Sequence, residues 1–133
     1  MRKSKVKLLV IFALVVGLCL VIFFPSSIFY GKHNEQYEIH SENKNYKLVI
    51  YKYIPVSLLP VYKVFDELGY FFVVYDQCGR EIYKPALNYG VSANLIYDEM
   101  EFSTLNGNEL FFPTNEDIDS IKLPSVPSTC VYK

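Results

Sequence analysis

The chain of 133 residues has no tryptophan, two histidines and three cysteines. Both histidines, His33 and His40, fall in the polar stretch GKHNEQYEIHSENKN at 31–45. A Ser–His or Cys–His mechanism needs its base packed against a nucleophile, and an exposed polar segment does not provide that. Cys-x-x-Cys and zinc-type Cys/His spacings are missing. Ser92, in Gly90-Val91-Ser92-Ala93-Asn94, lacks the Gly-x-Ser-x-Gly elbow. Glu116-Asp117-x-Asp119 lacks both the Asp-x-Asp-x-Asp-Gly order and the distal Glu of a calcium loop. The reading is therefore a non-enzymatic chain with no catalytic residues, no cofactor and no metal site. A basic excess is missing too. The formal net charge is −1, which argues against a nucleic-acid partner held by a general basic surface. There is no internal repeat, no low-complexity segment and no Asn-x-Ser/Thr acceptor. With 12 Tyr and 10 Phe, the composition is not that of a disordered chain.

The small net charge conceals an asymmetry. Arg2, Lys3, Lys5 and Lys7 give the first 30 residues a charge of +4 with no acid, while the remainder carries nine Lys/Arg against all 14 acids, a balance of −5. Between the basic tail and the acidic remainder runs LLVIFALVVGLCLVIFF, residues 8–24, whose most polar side chain is the thiol of Cys19. As a helix this run covers about 26 Å, against a bilayer core of about 30 Å. A helix buried in so small a domain would show a polar face, and this one has none. The competing reading is a cleaved leader, which needs small residues at −3 and −1 of the cut. Cleavage after Ser27 or Ser26 puts Pro25 or Phe24 at −3, so an uncleaved anchor is favoured. The positive tail should stay cytoplasmic and residues 31–133 should be exported.

The exported part contains Cys78 and Cys130 only. In an oxidising compartment an isolated pair is a candidate disulfide. Closing a loop of about 50 residues would contribute roughly 4 kcal/mol in the chain-entropy model. The alternative is two unpaired thiols too far apart to bond.

The pattern predicts a mostly β domain, α+β at most: a transmembrane helix followed by a small antiparallel sheet. The boundaries are a basic tail at 1–7, an anchor at 8–30, a polar stalk at 31–45 (or, at 37–40, a first short strand followed by a turn), the β domain at 46–123 and a tail at 124–133. Residues 46–54, YKLVIYKYI, are almost continuously apolar or aromatic and read as a central strand. Residues 61–68, between Pro60 and Gly69, are one or two helical turns or an irregular loop. YFFVVY at 70–75 is a second strand, and the turn 76–79, Asp-Gln-Cys-Gly, returns it into a hairpin partner at 80–84. LIYDEMEFST at 95–104 alternates with Ile96, Met100 and Phe102 on one side and Asp98 as the exception. Asn106-Gly107 is a strong hairpin signal, with 109–112 as the return strand. Residues 117–121 read as a single helical turn capped by Thr114 or Asn115.

A short anchor, then S-x-N-K-x-Y-K-L-V-I-Y (41–51), a proline-bearing segment and G-Y-F-F-V-V-Y-D-x-x-G (69–79) succeed one another, with a late strand ending in F-F-P. Over residues 1–112 this order resembles small membrane-anchored bacterial proteins grouped as a domain of unknown function. The resemblance implies an inner-membrane protein with a periplasmic domain and no catalytic residues to transfer; the last 20 residues depart from the pattern. Some such proteins accompany secreted toxins as immunity factors.

The sharpest local bias is acidic. Asp98, Glu99, Glu101, Glu109, Glu116, Asp117 and Asp119 fall within 22 residues, and no Lys or Arg stands between Lys84 and Lys122. A hairpin at Asn106-Gly107 would bring Glu101 and Glu109 across or diagonal to each other, unfavourably unless a cation or basic partner offsets them. Asp98, Glu99, Glu101 and Glu109 are thus the candidate partner face, with surplus Tyr as contact area. The bland reading is an ordinary solvated face, with Tyr half-buried at strand edges. The functional expectation is a single-pass inner-membrane protein whose periplasmic domain binds a basic protein, in its most concrete form an immunity factor against an envelope-acting toxin. The alternative is an accessory subunit of a membrane complex that uses the helix itself as its interface. Gly17 offers one small residue there, without a Gly-x-x-x-Gly.

Overall fold

With no charged side chain from Leu8 onward, α1 (Arg2–Phe23) forms a 22-residue helix, about 33 Å long. It is long and apolar enough to cross a membrane. Each of its described side chains is exposed except Ile22, near the C-terminal end, which is partly covered. The computed structural model describes residues 2–23, 26–55, 58–65, 67–105, 107–126 and 130.

Beyond the helix lie two small antiparallel sheets. The first has the order β1 (Glu35–His40), β2 (Tyr46–Lys52), β3 (Tyr70–Asp76), β4 (Glu81–Tyr83), with α2 (Leu58–Phe65) in the β2–β3 connection. The second comes after α3 (Ala93–Asp98) and has the order β5 (Glu101–Phe102), β6 (Glu109–Pro113), β7 (Ile118–Lys122). The helix-plus-small-β-domain expectation matches this architecture.

β2 and β3 pair in unbroken register, with Leu48 opposite Val74 and Ile50 opposite Phe72. One face of the pair, Leu48, Ile50, Phe72 and Val74, packs into a core with Ile96, Met100, Phe102, Leu110 and Phe112. The other face, Val49, Tyr51, Phe71 and Val73, is buried as well, with Tyr53 and under Tyr30, Tyr75 and Tyr89. Burial on both faces is why these strands read as continuous apolar runs.

The turn from β3 to β4 is set by its side-chain chemistry. The Asp76 carboxylate accepts from the backbone N–H of Cys78 (2.8 Å) and Arg80 (2.9 Å) and from the Arg80 guanidinium (2.8 Å), while Gly79 takes φ +76°. Cys78, on this turn, is disulfide-bonded to Cys130. Burial alone would raise the Asp76 pKa, but the Arg80 amide and guanidinium and the Cys78 amide hold it below the usual carboxylate value. A depressed folded-state pKa contributes stability that is complete above the ordinary carboxylate value of about 3.9 and is lost as pH falls through the lower one. Asp76→Asn is therefore expected to cost about 1–3 kcal/mol at neutral pH. It should also flatten the acid limb of a pH–stability curve measured by denaturant titration, and an unchanged acid limb would contradict this role.

Several local expectations are corrected. Of the two readings of 31–45, the stalk gives way to the first strand: β1 begins at Glu35, two residues before the expected Tyr37, and pairs with β2 from Glu35↔Tyr51 to His40↔Lys47. The predicted strand at 95–104 is instead α3 followed by the two-residue β5. Ser92 caps the helix, its hydroxyl accepting from the Leu95 N–H at 3.4 Å. Ile96 on α3 and Met100 just beyond it both reach the core, as the strand reading had placed them. Asp98, the exception to the alternation, is exposed at the end of α3. The predicted helical turn at 117–121 is β7. Thr114 does not cap a helix but closes the β6–β7 turn, its N–H and hydroxyl both donating to the Asp117 carbonyl at 2.7 Å. The β5–β6 connection is also longer than a two-residue Asn-Gly hairpin. It closes through Ser103 N–H to the Glu109 carbonyl (2.7 Å) with Gly107 at φ +62°, and Asn106 lies outside the described residues.

Candidate functional site

The acidic residues singled out in the sequence do not form one patch. β5 and β6 pair with Glu101 opposite Phe111, which leaves Glu109 on the diagonal from Glu101. Glu109 is directly opposite Lys122 on β7, and its carboxylate accepts from the Ser120 hydroxyl at 3.2 Å. Register thus sets Lys122, rather than a second acid, across from Glu109, a neighbour the sequence pattern did not assign to it.

Glu99 goes elsewhere. It ends α3, its N–H donating to the Leu95 carbonyl, and with Leu95 it lines a shallow recess of about 230 Å³. The opposite wall is the 114–117 turn with Glu116 and Asp117, and Pro113 and Ile118 complete the lining. Asp117 is held by its own turn, its carboxylate accepting from the Ile118 N–H at 2.8 Å. Leu95 and Ile118 are exposed, as are Asp98, Glu99, Glu101, Glu116 and Asp117. Among the described residues these acids make no ion pair; the ion pairs present join Glu38 to His40 and Lys47, and Asp76 to Arg80. Such a recess suits a lysine or arginine side chain, its aliphatic stem on Leu95, Pro113 and Ile118 and its charged head among the carboxylates.

The Tyr surplus mostly goes inward. Tyr46, Tyr51 and Tyr53 are buried and Tyr30, Tyr70, Tyr75, Tyr83 and Tyr89 half-buried, leaving Tyr37, Tyr62 and Tyr97 exposed among the described residues. Tyr37, Tyr70 and Tyr97 meet edge to face, with Tyr97 in contact with both others, at 5.9 and 6.2 Å between ring centroids. Burial pushes the Tyr53 phenol up to about 12. Ser92 is engaged as the α3 cap. His33 and His40 are exposed, and among the described residues no group of three or more His, Cys, Asp or Glu is placed to hold a metal ion.

The sequence reading missed the apolar floor of the recess. Part of the signal was present: Pro113-Thr114-Asn115-Glu116-Asp117 between apolar residues is turn chemistry and could have been read as a hairpin. Compared with protein-family models, curated proteins and solved structures, the chain finds no match.

Proposed function

We propose that this chain is a non-enzymatic single-pass membrane protein, held by α1, whose β domain is exported and captures a second protein by a basic side chain. The Lys/Arg asymmetry across α1 supports a cytoplasmic N-terminus in a bacterial inner membrane, and the Cys78–Cys130 bond suits an oxidising compartment such as the periplasm. One observation carries the binding reading: Glu99, Glu116 and Asp117 rim a recess lined by Leu95, Pro113 and Ile118, with no cation paired to any of them among the described residues. Anchoring adds effective concentration, because it confines the binder to one face of one membrane. A basic toxin acting in the envelope is one partner of this kind.

The test is crosslinking of the tagged full chain in cells, with the partner identified by what co-purifies. Triple reversal at Glu99, Glu116 and Asp117 to lysine is expected to weaken capture about a hundredfold, since like charges brought together cost several kcal/mol. Glu109→Lys, at the Lys122 end of β6, should leave capture intact. Unchanged capture by a folded, disulfide-bonded triple variant would remove this site.

A further inference from the structure

We infer that the domain itself sits down on the membrane, through a ring of apolar side chains around the C-terminal end of α1 that enters the interfacial layer of the bilayer. This rests on the reading that α1 spans. Its apolar run of about 26 Å is slightly shorter than a bilayer core of about 30 Å, so the residues just past it stand at the boundary between acyl chains and headgroups.

Three segments are tied together at that point. Ser27, 2% exposed, donates from its hydroxyl to the Leu87 carbonyl at 3.3 Å. The Lys84 ammonium donates to the Ser27 carbonyl and lies 4.5 Å from the Tyr30 ring centroid. α2 lies against α1, and its Lys63 donates to the Asn88 carbonyl at 2.6 Å, joining α2 to the loop that carries Leu87. These ties and the contact of α2 with α1 hold the described segments close to the end of the helix, so whatever they expose is held at the membrane surface. They expose a set of large apolar side chains: Ile28 and Phe29 just after α1, Leu58 and Tyr62 one turn apart on α2, and Leu87 are 43–63% exposed. Lys63 and Lys84 turn their ammonium groups inward onto carbonyls, where burial lowers their pKa. A short, largely apolar helix presenting Leu58 and Tyr62 beside a spanning helix has the character of an interfacial element, Tyr being favoured at headgroup level. The bilayer is the occupant that continuity with α1 imposes, since a protein partner would have to displace lipid to reach this ring.

The absence of tryptophan makes the test direct. Single-Trp variants of the full chain are reconstituted in vesicles containing lipids brominated at shallow or deep acyl positions. Tyr62→Trp and Leu87→Trp report on the ring and Phe12→Trp on the middle of α1. Leu105→Trp is the control, because its loop neighbour Gly107 lies against Asn43, at the opposite end of β2 from Lys52 and Asn34. Disulfide formation on a non-reducing gel selects folded variants. The expected result is loss of Trp fluorescence to shallow bromine at both ring positions, loss to deep bromine at position 12, and none at position 105. If position 12 is quenched while the ring positions behave like position 105, the inference is overturned and the anchor stands. If position 12 is not quenched, the anchor reading fails and takes the inference with it.

Discussion

Replacing Phe72 by alanine is expected to cost about 3–5 kcal/mol, the range for removing a fully buried aromatic side chain. Phe72 is 0% exposed and stands where the two sheets meet. Its ring lies 5.3 Å from that of Phe112, 5.4 Å from Tyr89 and 6.0 Å from Tyr83, joining β3 to β4, to β6 and to the loop before α3. A small domain has only about 5–15 kcal/mol in total, so the variant should be close to unfolding at physiological temperature. Denaturant titration of the wild type and Phe72→Ala measures the loss directly. The exposed Phe111 one residue from Phe112 is the comparison, and Phe111→Ala should cost well under half as much. Equal costs would mean that the sheets do not pack as described.

Cys130→Ser is expected to lower stability by about 4 kcal/mol, because the bond to Cys78 closes 52 residues of sequence separation and so removes loop-closure entropy from the unfolded chain. The bond holds residue 130 on the β3–β4 turn, with the two Cα atoms 5.4 Å apart. Among the described residues the neighbouring tail is also held by the Tyr46 hydroxyl donating to the Pro124 carbonyl at 2.7 Å and by Val126 packing against the core. Thermal and denaturant unfolding of the oxidised wild type against Cys130→Ser gives the size of the effect. A difference below about 1 kcal/mol would place the loss within the range of an ordinary substitution and show that the bond is not among the interactions holding this domain together. The same bond reports on compartment. Thiol labelling in cells should find Cys78 and Cys130 blocked, while a variant retained in the cytoplasm should leave both free.

The two central strands were legible because each is specified locally and repeatedly. YKLVIYK and YFFVVYD combine β-branched and aromatic residues over seven positions, and Asp76 and Gly79 end the second of them with groups that need no distant partner. Short elements were not legible in the same way. Ile96 and Met100 are four residues apart, a spacing shared by one turn of helix and two steps of strand, and β5 is only two residues long. Thr114 and the acids after it serve a helix cap and a β-turn equally well, so the segment's state waits on whether β6 offers a free edge to pair with. The acidic site divided for the same reason. Charge density is a property of sequence, but Glu109 comes opposite Lys122, and Glu99 shares a recess with Glu116 and Asp117, only after β6 and β7 are in register.

By itself the sequence determined the spanning-length apolar helix, the antiparallel β character of the domain after it, its two central strands and the β3–β4 turn, since these depend on side-chain hydrophobicity, spacing and turn chemistry within a few residues. Tertiary structure alone decided that 93–98 is helix and 118–122 strand, which acids face one another across the recess, and that Ser27, Lys63 and Lys84 bind the domain to the end of α1. Those outcomes depend on pairing and packing partners up to 60 residues away in the chain, and no local pattern contains the free energy of contacts that form only when distant segments pack.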